Sequence, residues 1–380
     1  MRRFLCCIIL FVSTICFPFS VSADHQAETE VSASAYIVMD AATRSVIYES
    51  NAHLKLPMAS TTKIMSTLIC LESGDLDSEF TVDSDAIRVE GSSMGLTEGD
   101  IVTKRVLCYG MLLPSGNDAA GATAVRIAGS YSDFANLMNE RAKQIGMEDT
   151  HFVTPSGLHD EQHYSTAYDM GILTAEALRN DDFCEICCKE SAKVTFGNPP
   201  FERWLKNTNK LLANCEGVIG VKTGFTDEAG RCLVSACTRD DVTLICVTLN
   251  DKNDWNDHSQ LYDLAFSSIT AKYADIPEDI KLPVAGGEKG SVELYAKNNV
   301  VYGETDTEDS DVRWEVEAAP LLYAPVKADS IGGYLIHYCG EFEISRQPLY
   351  VADNVPYCEN KDENKNIFEK ISEKLKEFFS

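Results

Sequence analysis

The sequence predicts an α/β fold followed by a small all-β domain, and three observations carry that expectation. Strand-like runs occur at about 35–48 and return only after about 217. The stretch between, about 80–210, is helix-rich. After Ile276-Pro277 the texture changes to short apolar runs separated by Gly, Asp and Pro, as far as about 358. Outer strands drawn from both ends of a segment around a helical block imply one sheet packed against helices. Short strands between turn residues imply an all-β unit. The expected limits are 30–276 for the first domain and 280–358 for the second.

Each element follows from local pattern. Ala35-Tyr-Ile-Val-Met-Asp40 reads as a strand, Ala41 to Arg44 as its turn and Ser45-Val-Ile-Tyr48 as the returning strand. Ile64, Leu68 and Leu71 fall at helical spacing with Met65 and Ile69 beside them, so a helix begins at Ser60 and ends near Gly74. Val106 to Leu113 is apolar, Ala119 to Ala128 reads as a buried Ala-rich helix, and Phe134 to Ile145 is amphipathic. Thr166 to Leu178 is a further helix with Ser165 as its N-cap. Gly217 to Gly224 is a strand, and Arg231–Thr238 and Val242–Leu249 form a hairpin around Arg239-Asp-Asp241. A helix over Asp257–Ser267 completes the first domain. In the second, Val292–Tyr295, Leu321–Tyr323 and Tyr334–His337 are strand-like.

The ends of the chain read differently. Arg2 and Arg3, an apolar run from Phe4 to Phe17, Pro18 and then Val21-Ser-Ala23 have the layout of a signal peptide, residues 1–23, cleaved after Ala23. The apolar run is short for a membrane span. The chain is therefore expected to be exported from the cytoplasm. At the other end, Ile367, Ile371, Leu375 and Phe378 share one face of an amphipathic helix, 364–380. That helix could make peripheral membrane contact, although its polar face mixes Lys370, Lys374 and Lys376 with Glu369, Glu373 and Glu377.

Composition excludes one class of partner. The 380 residues carry 33 Lys and Arg against 59 Asp and Glu, a formal charge of −26, which leaves nothing to neutralise a run of nucleic-acid phosphates. Of 14 cysteines, three (Cys6, Cys7 and Cys16) lie in the leader, so the mature chain keeps an odd number. Cys232, Cys237 and Cys246 sit in apolar strand patterns, where a free thiol behaves as a small hydrophobe. Mostly reduced, buried thiols are expected. Cys184, Cys187 and Cys188 lack the second ligand pair of a zinc site, so no metal is expected.

Three short motifs carry chemistry. In Ser60-Thr-Thr-Lys63 the serine and lysine stand three apart, so on a helix they share a face. A serine hydroxyl needs a base to become a nucleophile, and a lysine of lowered pKa can be that base. In Ser115-Gly-Asn117, the serine could relay a proton to a leaving amine and the asparagine could hold both the lysine and a substrate amide. In Lys222-Thr-Gly224, on a strand, the lysine and the hydroxyl suit a substrate carboxylate, and Gly224 allows a ligand backbone to come close. Each motif alone is weak; their order along one chain is what discriminates.

That order, with Gly116 in the middle motif, resembles the low-molecular-mass penicillin-binding proteins of the serine-type D-alanyl-D-alanine carboxypeptidase family. The likeness includes Pro57-Met-Ala-Ser60-Thr-Thr-Lys63-Ile-Met, Leu113-Pro-Ser115-Gly-Asn117-Asp-Ala-Ala, Thr154-Pro-Ser-Gly157-Leu158, Tyr164-Ser-Thr-Ala167-Tyr-Asp169-Met, Gly220-Val-Lys222-Thr-Gly224-Phe-Thr and Ala229-Gly-Arg-Cys-Leu. It extends into the β domain at Ala324-Pro-Val326 and Gly332-Gly-Tyr-Leu, and covers about 30–358. The resemblance implies a β-lactamase/transpeptidase-like domain, an antiparallel sheet with a helical block, ahead of the β domain. It implies peptidoglycan stem peptides as substrate, β-lactams as inhibitors, and no cofactor. By the same resemblance Ser60 attacks, Lys63 is the base, Ser115 and Asn117 complete the proton network, and Lys222 and Thr223 bind the terminal carboxylate. The backbone N–H groups of Ser60 and Phe225 would form the oxyanion hole. No second carboxylate-binding arginine is assigned.

Two rival readings stand beside this one. A β-lactamase would need a glutamate-activated water, and no Glu-x-x-Leu-Asn segment lies between the second and third motifs. A non-catalytic wall-binding relative would have no need of Ser60, Lys63 and Lys222 together. His159 and His163 read as loop histidines, and Asp169 as a structural cap or pairing residue.

Overall fold

A computed structural model describes residues 30–306 and 310–358, and beyond them only Ser372 and Lys376. The signal peptide and the C-terminal amphipathic helix expected from the sequence therefore lie outside the described residues.

The first domain is built on a five-stranded antiparallel sheet. In space the strands run Val46–Ser50 (β2), Ala35–Asp40 (β1), Val242–Leu249, Gly230–Arg239 and Val218–Thr226. All six residues of β1 are buried, because both sheet faces are covered. Ile37 and Met39 join the core under the helical block, whereas Tyr36 and Val38 face the helix Asp254–Ser268 on the other side. The neighbouring strand alternates likewise, with Ile245 and Val247 on one face and Leu244 and Cys246 on the other. This is the two-residue period of a strand read against two layers. Cys232, Cys237 and Cys246 fill these layers as small apolar groups. All eleven cysteines among the described residues are free thiols.

The helical block includes Lys63–Glu72 (α1), Lys104–Leu112 (α2), Asn117–Ala128 (α3), Tyr131–Ile145, Ala167–Ala177 and Asp181–Cys187. α1 is the buried hub: nine of its ten residues are buried. Three expectations shift here. Ser60 lies not in α1 but in a one-turn 3-10 segment, Ala59–Thr62, that leads into it. The N-cap of Ala167–Ala177 is Thr166, not Ser165: its extended backbone lets Oγ1 accept from Asp169 N at 3.0 Å. The helix expected from Asp257 begins at Asp254.

The all-β part holds a six-stranded sheet ordered Val312–Ala318, Ile331–Cys339, Phe342–Val351, Ser291–Tyr295, Lys281–Ala285, Leu322–Tyr323. Only the last pair is parallel. Strand Ile269–Tyr273 leaves the first domain and pairs with Val301–Thr305, so the chain returns to the seam. There Gly303 N donates to buried Asp40 Oδ2 at 2.8 Å, and the Arg44 guanidinium lies 3.4 Å from the centre of the Phe342 ring. Among the described residues no helix is long and apolar enough to cross a membrane.

Candidate active site

The nucleophile turn is set by its own threonines. Ala59 takes a positive φ of 47°, a conformation that costs a non-glycine residue about 1–2 kcal/mol. Thr61 Oγ1 donates to Met58 O at 2.6 Å and Thr62 Oγ1 to Ala59 O at 2.8 Å, which hold the turn in that shape. The next residue starts α1, and Lys63 is fully buried.

Lys63 Nζ has three neighbours: Ser60 Oγ at 2.9 Å, Asn117 Oδ1 at 2.7 Å and the Ser156 carbonyl at 2.8 Å. Two of these are acceptors only, so they take two N–H groups; only the serine hydroxyl can also donate. In the neutral amine the remaining lone pair therefore faces Ser60. Burial, helped by the nearby Lys222 cation and opposed by Asp118, holds the Lys63 pKa well below the usual lysine range. The arrangement suits a base that takes the serine proton.

The second motif lies between α2 and α3. Ser115 is nearly buried and has φ 64°. A Cβ on Gly116 would lie 2.9 Å from Met94 N and 2.6 Å from Asp118 Oδ1, so only glycine fits. Asn117 meets the lysine, as expected, but its Nδ2 donates to Glu90 O at 2.7 Å. One of its two N–H groups is thereby committed to a loop, which leaves the second for the expected contact with a substrate amide. Asp118, singled out by no sequence argument, is 2% exposed. Its carboxylate accepts from Met94 N, Gly95 N, Leu96 N and Ser93 Oγ. It anchors the loop whose Ser92 and Glu90 carbonyls fix Asn117.

The third motif is on strand Val218–Thr226, the edge of the sheet nearest the nucleophile turn. A Cβ on Gly224 would sit 3.0 Å from Met58 O and 3.1 Å from both Ser60 N and Thr61 N. The glycine thus admits the protein's own nucleophile turn. Thr223 Oγ1 pairs with Thr208 Oγ1 at 2.7 Å. Lys222 lies beneath the groove. It is 1% exposed, its Nζ donates to the Thr223 carbonyl at 2.8 Å, and burial lowers its pKa to about 7. It stands behind the wall and does not present a solvent-facing charge.

Ser60, Ser115, Thr223, Gly224, Phe225 and Arg231 line one groove with a cavity volume of about 310 Å³. Lys63, Asn117 and Lys222 are buried beneath it. Arg231, to which the sequence reading gave no role, also lines the groove. It faces Phe225 across the hairpin and pairs with Asp254, while its guanidinium lies 5.5 Å from the centre of the Trp255 ring. A signal was available: strands meeting at Thr226 and Gly230 put 225 opposite 231. His163 lies in a loop, as expected, but is buried and hydrogen-bonded to Thr62, whereas His159 is exposed and Asp169 does pair structurally with Asp149 N and Thr150 Oγ1. Among the described residues no group of three or more His, Cys, Asp or Glu is placed to hold a metal ion.

Comparison with known proteins agrees with this geometry. The sequence profile of the D-alanyl-D-alanine carboxypeptidase family matches residues 20–253. The chain is 29% identical to the carboxypeptidase DacF of Bacillus subtilis, covering 93% of this chain and 95% of that one. It is 32% identical to DacC of Escherichia coli, over 89% and 88%. Among solved structures, the carboxypeptidase DacD of Francisella tularensis aligns with a TM-score of 0.62 at 26% identity, covering 87% of this chain and 95% of that one. The Streptomyces K15 DD-transpeptidase aligns at 0.60 and 29%, covering 63% of this chain and 99% of its own. With the fold, the three motifs and a profile match over most of the first domain in agreement, the chain is a serine hydrolase that belongs to the D-alanyl-D-alanine carboxypeptidase family.

Proposed function

We propose that Ser60 forms the acyl-enzyme through which this carboxypeptidase removes the terminal D-alanine of peptidoglycan stem peptides. The observation that supports this reading best is the buried Lys63 amine 2.9 Å from Ser60 Oγ, with its two other directions taken by acceptors. Lys63 accepts the hydroxyl proton as Ser60 Oγ bonds to the carbonyl carbon of the penultimate residue. The oxyanion is met by the backbone N–H groups of Ser60 and Phe225. The C–N bond then breaks, and the proton passes through Ser115 to the departing amine of D-alanine. Asn117 keeps Lys63 aimed. Water hydrolyses the ester, with its proton returned through the same groups to Ser60. The Thr223 hydroxyl and the Arg231 guanidinium, both on the groove, bind the substrate's terminal carboxylate, with Lys222 adding positive potential from behind the strand. β-Lactams acylate the same serine.

The reading carries an export route with it: cleavage after Ala23, a catalytic domain over 30–276, a β domain over 280–358, and a C-terminal helix over 364–380 resting on the outer membrane face. The test is intact mass of the mature protein over time after adding penicillin, beside Ser60→Ala, together with D-alanine release from a stem-peptide substrate. Wild type should gain a lasting adduct and release D-alanine; Ser60→Ala should do neither. D-Alanine release by Ser60→Ala would sink the assignment.

A further inference from the structure

The segment 153–157 touches the catalytic apparatus at several points. Its Ser156 carbonyl takes one N–H of Lys63 at 2.8 Å, and its Pro155 carbonyl takes the Ser66 hydroxyl of α1 at 2.6 Å. Gly157 packs on the nucleophile turn: a Cβ there would overlap the Ala59 carbonyl and come within 2.7 Å of Thr62 Oγ1. One side chain ties this segment to the turn. His163 Nδ1 accepts from Val153 N at 2.9 Å and Thr154 N at 3.3 Å, and Nε2 lies 2.8 Å from Thr62 Oγ1.

The tautomer follows from those partners. A nitrogen that accepts from backbone N–H groups carries no proton, so the ring proton is on Nε2 and is donated to Thr62 Oγ1. The Thr62 hydroxyl proton goes on to the Ala59 carbonyl. The chain of bonds thus runs from the backbone that anchors Lys63, through the ring, to the carbonyl immediately before Ser60. We infer that His163 is a positioning residue for acylation, holding the nucleophile turn and the Lys63-anchoring segment in one hydrogen-bonded frame. The ring is 3% exposed. Burial lowers its pKa to about 4; Asp160 weakly favours the cation, and His151 and His159 disfavour it further. On the catalytic helix the titratable residue next to Thr62 is Lys63, whose own pKa burial holds low. The ring is therefore neutral, with the donor and acceptor it needs, throughout the neutral pH range.

This inference rests on Ser60 being the nucleophile, and the variants separate the two claims. Thr62→Val keeps the shape of the side chain and removes the link; Thr62→Ser restores the hydroxyl. The measurement is the limiting rate of penicillin acylation, resolved from the binding step. Because about 1 Å of misplacement at a reacting group can cost roughly a hundredfold, Thr62→Val should acylate at least about tenfold more slowly at unchanged binding. Thr62→Ser should stay within about threefold of wild type by the same reasoning. His163→Asn keeps an acceptor near Nδ1 but lacks the Nε2 donor, and should resemble Thr62→Val. It also serves in its place should the valine variant not fold. Wild-type rates in Thr62→Val or His163→Asn, or equal slowing in Thr62→Ser and Thr62→Val, would overturn the inference. Adduct formation by Ser60→Ala would instead overturn the assignment of the nucleophile.

Discussion

Lys222 is a buried amine behind the groove wall, and replacing it with methionine should reveal what burying its charge costs. In the folded chain its pKa is about 7, against a model-peptide value of 10.5 for lysine. Removal from water, the named cause, penalises the ammonium form. Between those two values the unfolded chain holds a proton that the folded chain has lost. Stability therefore rises with pH across this window, by about 1.4 kcal/mol per unit. Below pH 7 both states are protonated and the full penalty applies, about 5 kcal/mol for the whole shift. Lys222→Met keeps the length and volume of the side chain but cannot titrate. Denaturant unfolding of wild type and Lys222→Met at pH 7.5, 8.5 and 9.5 isolates the difference, because every other group titrates in both. Wild type should gain about 2–3 kcal/mol relative to the variant over that range. His163 and His258, whose pKa values burial lowers to about 4 and about 3, change charge below this window and leave the comparison untouched. Parallel stability curves for the two proteins would refute the reasoning. They would mean that Lys222 remains an ordinary solvated ammonium and that the groove wall is wet. Activity should respond separately: at or below about pH 7, where the folded-state amine is charged, the variant loses the positive potential behind Thr223, so KM for substrates ending in a free carboxylate should rise.

Two further substitutions test the scaffold. Gly157→Ala forces a side chain into a backbone with φ 81° and against the Ala59 carbonyl. It should cost at least about 1–2 kcal/mol from conformation alone and slow penicillin acylation as well. Wild-type stability in denaturant would show that the segment does not press on the nucleophile turn. Asp118→Asn puts an NH₂ group where a carboxylate oxygen now meets backbone N–H donors of the 93–96 loop. Leaving buried donors unpaired costs about 1–3 kcal/mol, so the melting temperature should fall and amide exchange should quicken in that loop. Unchanged exchange at Gly95 and Leu96 would refute the anchoring role.

The parts of the site that could be read from sequence were those encoded by near neighbours. Ser60 and Lys63 meet because they stand three positions apart on one helical turn, and their order with the other two motifs indicated the rest. What could not be read depends on contacts between distant segments. Lys222 looks like a cation offered to solvent until the sheet and helical block close over it; the alternation that places it on a strand does not say which face is covered. Asn117 is a free amide in sequence, and only the fold brings the Glu90 carbonyl to it, 27 residues away. His163 looked like one of several loop histidines because nothing local marks it; its partner Thr62 is 101 residues distant. His258 is a parallel case on the other face of the sheet, where Ser235 and Thr248 take its two ring nitrogens. These buried polar contacts share a physical logic. A polar group taken from water must find its partner inside the fold, and such a partner is chosen by topology, not by spacing. In this chain the motifs supply the reacting atoms, and residues outside them, Asp118 and His163 above all, determine where those atoms are held.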